Sequence, residues 1–279
     1  MSKPKTLSII GCGKVGQTLA RLWVQHQTIQ IQDILNTSIE SGTRAVAFVG
    51  AGRVASSYAD LQPADIFLIA APDDQIVACC IALANSGLLS ASSIVFHCSG
   101  ALPSSILDSA SQHGAAIASI HPIRSFAVPE KIVADFAGTY CGVEGDKTAL
   151  DVLNPLFSAI GAQTVPIQGD AKVLYHAAAV FASNYLVTLL DTAVQAYGKA
   201  GIPQDVALKM MASLVRETTE NVLQIGAEQA LTGPIARNDI ATVIKQYRSV
   251  NAWNRAYGKL YKQLGKLTTH LARRRKKQQ

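Results

Sequence analysis

Gly11-Cys12-Gly13-Lys14-Val15-Gly16 follows the apolar run Ser8-Ile9-Ile10 and opens the amphipathic stretch Gln17-Thr18-Leu19-Ala20. This G-x-G-x-x-G spacing, between a strand and a helix, suits the cradling of a dinucleotide pyrophosphate. Gly11 allows the tight turn, Gly13 lets backbone N–H groups approach the phosphates, and Gly16 lets the helix pack on the strand. Cys12, Lys14 and Val15 lie where a helix N-terminus offers N–H donors and partial positive charge. A second constellation lies far along the chain. At 100° per residue, Lys172, His176 and Ser183 fall within about 40° of one another, with Asn184 and Asp191 at the edge of that sector. The surrounding residues are Ala, Val, Leu and Phe, so the polar stripe reads as a site lining a cleft. A surface lysine and a histidine satisfied by a backbone carbonyl would give the same pattern, and both readings stay open.

The elements that must position these residues come in two grammars. Strand candidates are Leu7-Ile10, Ile29-Leu35, Ala45-Val49, Ile66-Ala70, Ile94-His97, Ala115-Ile120, Thr139-Val143 and Thr164-Ile167. Several are continuous apolar runs, as strands buried on both faces require, and they alternate with helical segments. That alternation predicts an α/β fold, a doubly wound and mostly parallel Rossmann sheet. From Asp170 to Ala200 one unbroken helix is expected, then a break at Gly201-Ile202-Pro203, a second helix to about Ile225, and two more to about Ala272. The expected domains are 1–168 for the sheet, 169–272 for an all-helical domain and 273–279 for a disordered basic tail. Phe48-Val49-Gly50-Ala51-Gly52-Arg53-Val54-Ala55 also reads strand then G-x-G-x-x-A. Too few residues follow it for a crossover helix, so it is read as the third strand and its turn.

Cofactor choice rests on the end of the second strand, where an acid bonds the ribose of NAD and a neutral or basic group admits NADP. Asn36-Thr37-Ser38 sits there and favours NADP, while a strand ending early would bring Asp33 forward as the acid for NAD. Ala71-Pro72 and His97-Cys98-Ser99-Gly100 follow the fourth and fifth strands, at the carboxyl edge where ligands bind in such sheets.

Composition excludes several classes. Apolar residues make up 49% of the chain and charged ones 16%, the balance of a buried core and not of a disordered chain. Five of the six net positive charges fall in Arg273-Arg274-Arg275-Lys276-Lys277, so the basic balance reads as a property of a solvated tail. No aromatics interleave with that run, which argues against nucleic acid. The five cysteines show neither C-x-x-C nor metal-ligand spacing, consistent with thiols in a reducing cytoplasm and no metal. No signal peptide is read in the N-terminus, and Ala177 to Leu190 is short of a membrane span.

With these residues in view, the N-terminal half resembles the Rossmann domain of the 6-phosphogluconate dehydrogenase-like superfamily, which includes pyrroline-carboxylate and ketopantoate reductases and prephenate dehydrogenase. Three segments more closely resemble a bacterial family of oxidoreductases with a helical C-terminal domain of unknown function: Ser119 to Phe126, Lys172 to Tyr185, and Ala230 to Arg237. Asn238 departs from the glycine expected before Asp239. The resemblance implies roles. Hydroxyacid dehydrogenases of the superfamily carry a lysine at the start of the helix that Lys172 opens, followed by asparagines where this chain has Tyr175 and His176. A lysine there polarises a carbonyl or donates a proton as hydride arrives. His121-Pro122 is similar to the motif of prephenate dehydrogenases in which a histidine takes a hydroxyl proton, with Ser99 near their companion serine; a turn histidine held by Pro122 is the alternative. Ser125 and His97 are further candidates. Asn184 is a candidate substrate contact, and Arg237 either anchors an anionic substrate or makes a structural ion pair. Together these imply an NADP-dependent oxidoreductase of a small carbonyl, imine or hydroxy-acid substrate held between the domains, homodimeric through its helical domain. The alternative is a sensor that binds NADP(H) without turnover.

Overall fold

Ile66–Ile69 and Ile94–His97 are buried at every position, as strands covered on both faces must be. The computed structural model describes residues 4–278. Its sheet comprises β1 (Thr6–Ile10), β2 (Gln30–Leu35), β3 (Arg53–Ala55), β4 (Ile66–Ile69), β5 (Ile94–His97), β6 (Ala116–Pro122), β7 (Tyr140–Gly145) and β8 (Gln163–Pro166) in the order β3-β2-β1-β4-β5-β6-β7-β8. All neighbours are parallel except β6 and β7. Chain order reverses at β1, between β2 and β4, the point where such sheets open a crevice. Helices α1 (Lys14–Gln25), α2 (Ile39–Val49), α3 (Ile76–Asn85), α4 (Asp108–Gln112), α5 (Pro129–Ala134) and α6 (Lys147–Ala159) connect the strands. Alternate side chains of β4 feed two cores, Ile66 and Leu68 into one and Phe67 and Ile69 into the other. The first is closed by Trp23 and Phe157, edge to face at 5.3 Å between centroids.

Ala45-Val49 forms a helix and not the expected strand. Ser38 accepts the N–H of Ser41 to cap α2, Gly50 ends it at φ 81°, and Gly42, Ala45 and Val49 face inward at helical spacing. The strand of this region is β3, on the far side of the Gly50-Ala51-Gly52 turn.

The helical part holds α7 (Lys172–Ala182), α8 (Asn184–Lys199), α9 (Gln204–Ala230), α10 (Ile240–Trp253) and α11 (Arg255–Gln278). Ser183, at φ −121° and ψ −70°, interrupts the single long helix expected over Asp170 to Ala200. Residues 169–199 are apolar and long enough to cross a membrane by composition. The interruption leaves pieces of 11 and 16 residues against the roughly 20 that a span requires. Backbone contacts divide the chain at Phe181–Ala182. The first unit thus extends past residue 168 and takes α7, because Lys172 is buried under the ends of the strands.

Residues 273–278, expected as a disordered tail, continue α11; Gln279 lies outside the described residues. Arg274 pairs with Glu228 at 2.8 Å, and Arg275 donates to the Leu231 carbonyl at 3.1 Å. Nor is the positive charge confined to that run, since the last forty residues hold 11 lysines and arginines and no acid.

Candidate active site

Gly11 adopts φ +76°, and a Cβ there would lie 2.7 Å from the Ala71 Cα, so the loop after β4 closes on β1 only because residue 11 is glycine. A Cβ on Gly13 would meet nothing nearer than the Gly11 oxygen at 4.0 Å, which leaves open room beside the backbone. Among the described residues no side chain caps α1, so the N–H groups at Lys14 and Val15 remain available to an anion. The Lys14 ammonium itself reaches the Ala127 carbonyl at 2.8 Å. Beside the loop, Asn36, Thr37, Ser56, Ser57, Ala71 and Pro72 line a hollow of about 340 Å³.

Asp33 is excluded from that hollow. It pairs in register with Arg53 on β3, is fully buried, and accepts from Arg53 Nε at 2.9 Å and from the Gln62 N–H at 2.7 Å. β2 runs on to Leu35, which leaves Asn36 and Thr37 at its carboxyl end. Asn36 Oδ1 accepts the Cys12 N–H at 2.6 Å, tying the phosphate loop to this edge, while the Ser38 hydroxyl caps α2.

The loop after β5 forms a second centre. The Ser99 hydroxyl donates to Asp73 at 2.9 Å and accepts the N–H groups of Ala101 and Leu102, and His97 Nδ1 accepts the Ser99 N–H at 3.1 Å. Lys172 is fully buried beneath this loop. Its ammonium donates to the Ser99 carbonyl at 2.9 Å and to the Ser119 hydroxyl, and stands 3.7 Å from Glu144. Burial lowers its pKa, and the Glu144 carboxylate opposes that shift. Glu144 is held in turn by the N–H and hydroxyl of Ser104 at 2.6 and 2.7 Å.

Above the lysine, two imidazoles converge on Gly100. The His121 and His176 rings lie 5.7 Å apart, and a Cβ on Gly100 would meet His176 Nδ1 and, at 2.8 Å, His121 Nε2. His121 Nδ1 stands 2.9 Å from the Tyr175 hydroxyl. Burial raises that phenol to about 12, so Tyr175 is protonated; in the tautomer whose Nδ1 accepts the phenol proton, the His121 proton sits on Nε2, facing Gly100. His176 Nδ1 is buried and meets no hydrogen-bond partner among the described residues.

Burial pushes His97 and His121 from 6.5 down to about 4, with the Lys172 charge contributing to both. The unfolded chain binds these protons near pH 6.5 and the folded chain only near pH 4. Each histidine's stabilising contribution is therefore complete above pH 6.5 and lost as pH falls toward 4. The expected loss is about 2–3 kcal/mol per histidine. Urea unfolding between pH 7 and pH 4 measures it. A wild-type profile no steeper than that of His97→Gln would refute the buried, neutral state.

Residues 2–122 match the model of a Rossmann-like domain, and residues 139–268 match the Domain of unknown function (DUF2520). The two matches follow one another along the chain and together span most of it. Solved structures share this fold. A Bacteroides fragilis protein described as an NADP oxidoreductase is 19% identical, with TM-score 0.78 over 96% of this chain and 98% of its own. A Thermotoga maritima protein is 25% identical, with TM-score 0.74 over 97% and 99%. The reductive aminase of Aspergillus terreus, in complex with NADPH and ethyl levulinate, is 15% identical, with TM-score 0.66 over 98% and 95%. No curated protein sequence matches the chain.

The second centre draws on both matched regions: His121 closes the Rossmann-like one, whereas Glu144, Lys172, Tyr175 and His176 belong to DUF2520. Asn184, at the start of α8, and Arg237, exposed in the turn before α10, lie in the second unit. Asn238 has φ +61°, the region that glycine fills most easily and asparagine tolerates, so the departure from glycine keeps the turn. Glu144, Ser119, Asp73 and Gly100 escaped sequence reasoning. Glu144 sits inside a strand with no motif around it, and Gly100 counts for the space it leaves.

Proposed function

We propose that this chain is an NADP-dependent oxidoreductase that reduces a small carbonyl or imine compound, or runs the reverse oxidation of a hydroxy acid, at Gly100 in the cytoplasm. The convergence of two imidazoles on a glycine, above a buried ammonium, carries this reading. Bound NADPH supplies the hydride. Gly11 to Gly16 would hold its pyrophosphate and Asn36 and Thr37 would face the 2′-phosphate, beside a hollow whose lining includes no carboxylate among the described residues. His121 Nε2–H donates to the substrate's oxygen or nitrogen, and the Lys172 charge offsets the negative charge that develops there. As that atom takes the Nε2 proton, His121 Nδ1 takes the Tyr175 proton, and water reprotonates the phenolate. His176 Nδ1 gives the substrate a second polar contact. The test is NADPH consumption across a panel of imines, ketones and 2-oxo acids, with His121→Asn and Tyr175→Phe as controls. Turnover that both variants retain would move the chemistry elsewhere.

Cofactor choice has its own expected result. NADPH should bind at least about tenfold more tightly than NADH, and Gly13→Asp should abolish both, since its carboxylate enters the phosphate space. Equilibrium titration by nucleotide fluorescence reads this. Equal affinities would remove Asn36 and Thr37 as the 2′-phosphate contacts.

A homodimer is the proposed assembly. On α8 and α9, Val187, Leu208, Leu214 and Leu223 are exposed, an apolar surface that a second copy would cover. A second reading, a sensor that binds NADP(H) without turnover, draws on the complete burial of Lys172. NADPH binding without consumption across the whole panel would favour it.

A further inference from the structure

In the second unit, α10 and α11 enclose a hollow of about 470 Å³ walled by Ile235, Ile240, Val243, Ile244 and Tyr247. Across Ala236 and Ala272, which line both, it adjoins a second hollow of about 440 Å³ carrying Arg237 and Arg275. Together they form a groove with an apolar end and a guanidinium end. Such volumes fall in the range of small-molecule sites. We infer that this groove binds an anionic amphiphile, an aliphatic chain bearing a carboxylate or phosphate, with the chain between α10 and α11 and the head at Arg237.

Two observations lead to this ligand. The first is space that the fold does not need. Gly258 of α11 is required by packing, because a Cβ there would lie 2.7 Å from the Asn251 Cβ. Gly265, two turns on, would meet only Ile235 Cδ1 at 3.9 Å, so helix packing does not demand this weak helix former, and its absent side chain widens the groove. Ile240 and Ile244 remain 54% and 43% exposed along the same wall. The second is charge. Lys262, Lys266 and Arg273 recur at helical spacing along the groove's rim. Among the described residues none of the three is in an ion pair. With no acid after Asp239, this wall attracts an anion and repels a cation.

Calorimetric titration of the full chain tests the site, using dodecanoate and dodecyl phosphate, with dodecanol and inorganic phosphate as half-ligands. Saturable binding of at least one anionic amphiphile is expected, with each half-ligand at least about tenfold weaker; the tighter of the two names the head group. Gly265→Leu, which fills the groove, should abolish binding. Ile244→Glu, at an exposed position that the fold tolerates, should do the same by repulsion, and Arg237→Gln should weaken binding about tenfold. Absence of saturable binding up to about 1 mM would overturn the proposal. So would undiminished binding in folded Gly265→Leu, or dissociation of an oligomer by that variant, which would make the groove an interface between copies.

Discussion

Gly100→Val should lower turnover about a hundredfold or more while NADPH affinity stays within about twofold. Gly100 does not have a positive φ, so its backbone does not demand glycine. The requirement is spatial: a Cβ would collide with His176 Nδ1 and approach His121 Nε2 and Cε1 to 2.8 Å. Valine must push both imidazoles off their positions, and misplacement by about 1 Å costs this much when catalysis depends on alignment. The phosphate loop lies on β1 and α1 and does not share these contacts, so nucleotide binding reports on folding and cofactor separately. The measurement is kcat for NADPH oxidation beside an NADPH titration. Retention of wild-type kcat would show that no reacting group sits at this glycine.

Lys172→Met should destabilise the chain by about 3–5 kcal/mol and lower its Tm on the order of 10 °C. The lysine is fully buried and the Glu144 side chain only 11% exposed. Removal of the ammonium strands a nearly buried carboxylate and leaves the Ser99 carbonyl and Ser119 hydroxyl without their donor. Glu144→Gln in the same chain should restore part of the loss, because the amide oxygen still accepts the Ser104 N–H without carrying charge. Urea denaturation of the two single variants and the double variant gives the coupling. A fully stable Lys172→Met would mean that the ammonium is solvated in solution. The same variant should also lower turnover, since the charge that offsets a developing anion is gone.

These two residues show how far sequence reading reached. Lys172, His176 and His121 were singled out from helical phase and from resemblance, and the fold brings them to one place. Their roles differ. Lys172 holds the loop after β5 from below, whereas His121 and His176 present ring nitrogens at Gly100. That distinction depends on contacts among β5, β6, β7 and α7, residues as far as 73 positions apart, such as Lys172 and Ser99. Asn184 shares the stripe only in an unbroken helix, and the irregular backbone at Ser183 ends that phase relation. Resemblance places Ser99 beside the serine that accompanies a catalytic histidine, and in the fold its hydroxyl is engaged by Asp73, Ala101 and Leu102.

What the sequence alone determined was local: the glycine loop, the apolar runs of the parallel strands, the helix stop at Gly201 and the change from alternating to helical grammar. In each, the deciding interactions lie within a few residues, so spacing and composition suffice. Tertiary structure decided the rest. Ala45-Val49 suits strand or helix equally by composition, and burial against the core chose helix. Asp33 and Asn36 competed for the ribose edge until the register of β2 against β3 gave Asp33 to Arg53. The basic C-terminus became helix because Glu228 and the Leu231 carbonyl hold Arg274 and Arg275. Each outcome rests on a partner distant in sequence, and the energy of such a contact exists only once the chain has closed around it.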